Sequence, residues 1–171
     1  MRTPDTQLAL ATLFVELTDG PSRPGGAFVL NSGDIGLLSS LDLLSHVDAS
    51  HSVNGGATVA AHVEHLRYGL SLLNRWAVEG ADAYANPLWD LAWQTSAVSA
   101  AQWEESRLGL REEIQNWRAT LESPRELNEV ELKGLIASVA HFAYHLGAIR
   151  QIAPGSRGPK EGTFTPASAP R

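Results

Sequence analysis

The chain has 171 residues, of which 43% are hydrophobic and 19% are charged; its formal net charge is -6, and it contains no cysteine. This length suffices for one domain with a hydrophobic core. The acidic balance argues against a nucleic-acid surface, which requires a basic patch. The lack of cysteine excludes a disulfide framework, a thiolate metal site and a cysteine nucleophile, so any metal would have to bind nitrogen and oxygen.

The N-terminal run LALATLFV predicts an amphipathic helix over residues 5–18 rather than a signal peptide, because it breaks at Glu16 and no small-residue cleavage site follows. The apolar residues at helical spacing are Leu8, Ala11, Phe14 and Val15. The turn-forming stretch DGPSRPGG ends this helix. No apolar run approaches the roughly 18 residues of a membrane span, so we expect no membrane segment and a cytoplasmic location.

Four further helices are predicted in chain order. The second follows Asp34 as its N-cap and has an apolar stripe made by Leu37, Leu38, Leu41, Leu44 and Val47. The third runs from the N-cap Thr58 to about Glu79, where Gly80 ends it. The fourth covers about Val98 to Leu121, and the fifth about Glu129 to Ile152, with a stripe made by Leu132, Leu135, Ile136, Val139, Phe142, Leu146 and Ile149.

No strand-like alternation is present, so the pattern predicts an all-α fold, most simply a four-helix bundle with an additional N-terminal helix. We expect one domain over residues 1–152, with the bundle core over about 33–152. Residues 153–171 are rich in Pro, Gly and Ser, which indicates a C-terminal tail without a core of its own.

Four of the six histidines fall as two pairs on two predicted bundle helices, in the segments HVEH and HFAYH. On a helical projection His141 and His145 lie within about 40° of each other at the border of the apolar stripe, and His62 and His65 flank the stripe of their own helix. If the two helices are neighbours, three or four imidazoles can meet at one point and bind a metal ion such as zinc, nickel, iron or copper. The alternative is that each histidine is a hydrogen-bonded, partly buried residue.

Further candidates lie on the histidine helices. Tyr68, Tyr144 and Arg150 could contact a substrate carboxylate, with the arginine forming a bidentate pair; the alternative is interfacial tyrosines and a solvated arginine. Glu64 projects about 100° from each histidine of HVEH, so we expect it to point away from the metal. Trp89 and Trp93 could line an entrance to the site.

Three segments within about residues 33–152 resemble the DinB-like superfamily of metal-binding four-helix bundles. They are TVAAHVEHLRYGLSLLNRW, PLWDLAWQTSAVSAAQWEESRLGLREEI and SVAHFAYHLGAIRQI. The most specific piece is the closing H-x-x-x-H-L-G-x-I-R-Q. In that family a histidine of the second bundle helix and the H-x-x-x-H pair of the last one hold a divalent metal, typically zinc or nickel. The resemblance implies His65, His141 and His145 as ligands. The role of His62 stays open: it could be a fourth ligand, could replace His65 as the first ligand, or could support a ligand without contacting the metal.

The resemblance also implies a function. Relatives include transferases and isomerases that use a low-molecular-weight thiol such as mycothiol or bacillithiol, and a metal-bound thiol ionises to the nucleophilic thiolate near neutral pH. The lack of cysteine fits, because the sulfur would come from the cosubstrate; water activation would make the protein a hydrolase instead. A homodimer is expected, as in relatives of this type. The alternative is a non-catalytic binding or dimerisation module with a structural or vestigial metal site.

Overall fold

A computed structural model describes residues 3–22, 26–123 and 125–159. Within these residues the chain forms α-helices and two short 3-10 turns, with no strand, which confirms the all-α class. The helices are α1 (Thr3–Asp19), α2 (Gly36–Asp42), α3 (His46–Ala49), α4 (Val59–Glu79), α5 (Trp89–Ala92), α6 (Ala100–Leu121) and α7 (Glu129–Ile152). In this described part no helix is long and apolar enough to cross a membrane.

The four long helices form a four-helix bundle in which α1 and α4 each pack against both α6 and α7. Helix α1, which the sequence pattern treats as an addition to a bundle over about 33–152, thus packs against two of the long bundle helices. Phe14 of α1 is fully buried and meets the ring of Phe142 of α7 edge to face, with the ring centroids 4.9 Å apart.

The predicted second helix is divided into α2 and α3 by the residues around Ser45. The Ser45 hydroxyl accepts a hydrogen bond from the Asp48 amide at 3.2 Å, and the Asp48 carboxylate accepts one from the Ser45 amide at 3.0 Å, so a capping box starts a new helix here. Val47, expected in the stripe, is 65% exposed as a result. The N-cap of α2 is Ile35 rather than the predicted Asp34, whose carboxylate instead accepts from the Gly36 amide.

Two glycines allow α1 and α2 to meet at a tight corner. Gly20 follows α1 with φ +94°, and Gly36 begins α2 with φ +69°. A Cβ on Gly20 would lie 2.5 Å from the carbonyl oxygen of Asp34, and a Cβ on Gly36 would collide with the backbone of residues 18–20. Only glycine fits both the left-handed conformation and this close approach of two backbones.

The predicted bounds of the three C-terminal helices agree with the structure to within two residues. The Thr58 hydroxyl accepts from the Ala61 amide at 3.2 Å, and Gly80, with φ +87°, ends α4. Capping boxes at Ser99 and Asn128 start α6 and α7. Most residues of the predicted apolar stripes lie in the core. Leu8 of α1 and Ile136 of α7, like Val47, do not, since they are 47% and 48% exposed.

Helices α4 and α7 lie side by side and run antiparallel, since His62 meets His145, His65 meets His141, and further along the Trp76 ring lies closest to Gly134. The connection between α4 and α6 carries α5, which packs on α4. After α7 the chain makes a turn at Pro154–Ser156, where Ser156 is fully buried. The rest of the predicted tail, residues 160–171, lies outside the described residues.

Candidate metal centre

The two histidine pairs meet at the contact between α4 and α7. The Nε2 atom of His141 lies 3.2 Å from Nε2 of His65 and 2.8 Å from Nε2 of His145. His65 and His145 are buried, and His141 is the more accessible of the three. Of the histidine and carboxylate side chains in the described residues, these three lie close enough together to share a metal ion.

The spacing of the three nitrogens fits a metal ion. Nitrogens held at about 2.05 Å from a tetrahedral ion lie roughly 3.3 Å apart, compared with 3.2 and 2.8 Å for the two pairs that include His141 and an upper bound of 4.8 Å for the whole group. Where three neutral imidazoles turn the same ring nitrogen toward one point, a hydrogen bond can join one pair, and the third nitrogen is left without a partner, since each carries either a hydrogen or a lone pair. A cation at the centre would satisfy all three lone pairs, so the donor set suits a divalent ion.

His62 approaches the cluster from behind His145. Its Nδ1 atom lies 2.7 Å from Nδ1 of His145, the ring nitrogen that points away from the other two histidines. When His145 donates its Nδ1 hydrogen to His62, its Nε2 lone pair faces the centre, as metal coordination requires. The geometry therefore separates His62 from the three converging nitrogens and places it as a hydrogen-bond partner of one of them.

Burial keeps the cluster uncharged. Desolvation, followed by the nearby His141 and His62, lowers the pKa of His65 to about 4. Desolvation and the three other histidines lower the pKa of His145 to about 3. Burial also lowers the pKa of His62 and of His141. All four imidazoles are thus neutral at pH 7, and neutral imidazole is the form that binds metals.

Two tryptophans of the α4–α6 connection cover the histidines. The Trp93 ring stacks on His65, with the centroids 4.3 Å apart and the planes inclined by 26°, and its centroid lies 5.2 Å from that of His62 and 5.8 Å from that of His145. The Trp89 ring lies 5.6 Å from His65. The Tyr68 hydroxyl accepts a hydrogen bond from the Leu88 amide at 2.7 Å and so fastens this connection to α4. The sequence suggests that Trp89 and Trp93 line an entrance to the site, and the structure places both rings against His65.

The other predicted site residues lie at different distances from the cluster. Tyr68 is near it and holds the connection, as described above. Tyr144 is 69% exposed, and its ring edge contacts His145 with the centroids 5.0 Å apart. Arg150 is not brought to the cluster: its two terminal nitrogens donate to both carboxylate oxygens of Asp34 at 2.9 and 2.6 Å, in a pair that is almost fully buried. Its guanidinium therefore has a structural partner.

Glu64 points away from the histidines, as expected. Its carboxylate accepts a hydrogen bond from the Ser106 hydroxyl at 2.5 Å and forms an ion pair with Arg67 at 2.8 Å. The Ser106 contact joins α4 to α6, and the Arg67 pair lies within α4. Glu64 is thus a structural residue rather than a general base of the centre.

A cavity beside the cluster was not expected from the sequence. It lies between α4 and α7, and Gly69 and Gly134 are among its lining residues. Gly69 follows His65 by four residues and Gly134 precedes His141 by seven, so both share a helical face with a histidine. Glycines at this spacing from the histidines are the feature of the sequence that could have predicted the cavity.

Comparison with known proteins adds no assignment: no protein-family model, no curated protein and no solved structure matches this chain.

Proposed function

We propose that this chain binds one divalent metal ion, zinc or nickel, through the Nε2 atoms of His65, His141 and His145, and that it is a DinB-like protein. The observation that carries the proposal is the convergence of these three nitrogens from two antiparallel helices. The Nε2 atom of His141 lies 2.8 Å from that of His145 and 3.2 Å from that of His65. The resemblance of the closing H-x-x-x-H-L-G-x-I-R-Q supports the same ligands. The donor set and the neutral state of the histidines at pH 7 support a cation rather than an isolated hydrogen-bond network.

The chain's own residues prepare this centre in three ways. His62 sets the orientation and the tautomer of His145. The Trp93 ring shields the His65 imidazole from water. Three protein ligands leave coordination positions free, which is typical of catalytic rather than structural sites. When bound, a divalent ion would supply Lewis acidity that ionises a thiol or a water molecule near neutral pH.

We propose, further, that the reaction class is transfer, isomerisation or hydrolysis with a low-molecular-weight thiol of the mycothiol or bacillithiol type as cosubstrate. The chain has no cysteine, so a reacting sulfur has to come from a second molecule. The resemblance supports a homodimer. Size-exclusion chromatography with light scattering would then measure a molar mass twice the 18.4 kDa of the chain.

The metal proposal is tested by elemental analysis of protein purified without a histidine tag. We expect about one equivalent of metal in the wild type and in His51→Ala, whose histidine is exposed and outside the cluster. The variants His65→Ala and His141→Ala should each lose the ion. Retention of one equivalent by both variants would overturn the proposal.

The reaction proposal needs a separate assay. Thiol consumption is measured with a set of electrophiles, in the wild type as purified, in chelator-treated protein and in His141→Ala. Turnover that disappears in the last two supports a catalytic centre. A melting temperature that falls with chelator, without thiol turnover, would instead favour the non-catalytic module, because an ion held by both α4 and α7 also joins two helices of the bundle.

A further inference from the structure

A cavity of about 220 Å³ lies in the seam between α4 and α7, next to the histidine cluster. His141 lines both the cavity and the cluster, and Trp89 lines the cavity while it also faces His65. Gly69 stands one helical turn after His65, and Ala137 one turn before His141, so the cavity continues from the histidines along the seam. A molecule in the cavity would therefore end at the proposed metal centre.

The walls of this cavity are apolar and uncharged. The lining residues of the described chain include no carboxylate, lysine or arginine. The Ser138 hydroxyl is already engaged, because it donates to the Leu135 carbonyl at 2.7 Å and accepts from the Trp117 indole at 3.0 Å. Burial raises the pKa of Tyr84, the other hydroxyl in the wall, to about 12, so that it stays protonated. A charged or sugar-like group would lose hydration here and find no charged partner, with the Tyr84 hydroxyl and His141 among the polar groups left to contact it.

The size of the cavity limits what fits. An enclosed dry cavity of about 150 Å³ binds benzene; this one, of about 220 Å³ and partly open to solvent, has room for one aromatic ring or an alkyl group of similar size. Gly69 lines the cavity, and a Cβ there would make an ordinary contact with the Trp89 ring, at 3.8 Å, so a larger side chain at this position can be used to fill the space.

We propose that this cavity binds the apolar part, a single aromatic ring or an equivalent alkyl group, of a substrate whose polar head reaches the histidine centre. The binding of the polar head at the histidine centre rests on the proposed metal function, whereas the preference of the cavity for a ring does not depend on that function. The substrate class is thus a small molecule with one ring and one metal-binding group, and the polar thiol cosubstrate has to lie elsewhere around the centre.

The cavity is tested first without metal. Binding of fluorobenzene to metal-free protein is followed by ¹⁹F NMR in the wild type, in Ala137→Phe and Gly69→Leu, which fill the cavity from opposite walls, and in Ile136→Phe. Ile136 neighbours Ala137 on the same helix but is 48% exposed and outside the cavity, so it serves as the matched control. We expect binding to the wild type and the control, and an affinity at least about tenfold lower in the filled variants.

The second arm uses cobalt-loaded protein and two chelating probes, benzohydroxamate and acetohydroxamate, whose metal-binding heads are identical. The visible spectrum of cobalt reports the binding of each. We expect benzohydroxamate to bind about 30-fold more tightly to the wild type because its ring enters the cavity, and the ratio to fall below about threefold in Ala137→Phe.

The two arms separate the two proposals. If fluorobenzene does not bind the wild type, or binds equally well to Ala137→Phe and Gly69→Leu, the cavity proposal is overturned whatever the metal does. If both hydroxamates bind cobalt equally well, the link between cavity and centre is overturned while the metal site stands. If the protein takes up no cobalt but binds fluorobenzene in the expected pattern, the proposed function fails and the cavity's preference for a ring is supported.

Discussion

The Nδ1 atoms of His62 and His145 lie 2.7 Å apart, in the buried contact between α4 and α7. One of these nitrogens must carry the hydrogen and the other accept it, so the two rings hold complementary tautomers. With the hydrogen on His145, that residue turns its lone pair toward His141. His62 thereby acts on the centre through another residue and does not need to touch the ion.

Replacing His62 should weaken metal binding without abolishing it. We expect His62→Phe to lower the affinity about 10- to 100-fold, the usual effect of removing a hydrogen-bond partner of a ligand. His62→Gln should recover part of this loss, because its carbonyl can accept the His145 hydrogen. Competition with a chelator of known affinity measures both. If His62→Phe loses the ion as completely as His141→Ala, His62 is a ligand and this interpretation is wrong.

The metal-free protein should lose stability in mild acid. A histidine in the unfolded chain has a pKa of about 6.5, whereas that of His65 is about 4 and that of His145 about 3 in the folded protein. Between these values the unfolded chain binds more protons, so the stability is complete above pH 6.5 and falls as the pH falls toward 4 and 3. Each such group contributes about 1.4 kcal/mol per pH unit in this window.

Urea unfolding of the metal-free protein at pH 7.5 and pH 5 measures this effect. In His145→Phe the difference in unfolding free energy between the two pH values should shrink, since one shifted group is gone. His51→Gln removes an exposed histidine and should leave the difference as in the wild type. An equal stability of the wild type at the two pH values would contradict the prediction.

Breaking the pair of Arg150 and Asp34 should destabilise the fold and leave the metal centre intact. Asp34 is 2% and Arg150 15% exposed at the side chain, so either partner alone would be a buried, unpaired charge. We expect Arg150→Leu to lower the unfolding free energy by roughly 3–5 kcal/mol. Arg150→Lys keeps the charge but not the two parallel hydrogen bonds, and should cost less.

The measurement for Arg150 is chemical unfolding, with metal affinity determined at a temperature where both variants are folded. Unchanged affinity would agree with a structural role. An Arg150→Leu protein of wild-type stability that binds a substrate carboxylate less well would instead support the prediction made from the sequence.

Gly36→Ala should destabilise the corner between α1 and α2 more than its backbone conformation alone explains. The left-handed conformation costs a non-glycine residue about 1–2 kcal/mol, and at Gly36 the added methyl group would also meet the backbone of Gly20. Gly55→Ala is the control, since Gly55 has φ +73° but open space around it. Thermal melts should rank wild type above Gly55→Ala and Gly55→Ala above Gly36→Ala. Equal melting temperatures for the two variants would contradict the close contact.

Local signals were sufficient to predict α4, α6 and α7. Thr58, Gly80 and Asn128 act within a few residues of their own position, so the helix ends could be read from the sequence. The same holds for the pairing of histidines on one face, which follows from helical geometry. The division of the second helix at Ser45 was missed because a run of leucines on one side outweighs a capping box in a pattern search.

Features that depend on neighbouring helices could not be predicted. The place of α1 in the bundle follows from the contact of Phe14 with Phe142, which are far apart in the chain. The role of His62 depends on the offset between α4 and α7, which decides the nitrogen that each ring presents. Arg150 resembled a substrate residue because its partner, Asp34, lies 116 residues away.

His141 and His145 occupy one turn of a single helix, whereas His65 is 76 residues distant from His141 in the chain. A newly formed α7 can offer two imidazoles to an ion on its own, but the third arrives only when α4 has docked against it. In the proposed centre, α7 alone would hold the ion by two ligands, and full coordination would require α4 to be packed against it. Occupancy of the centre would then report that folding is complete.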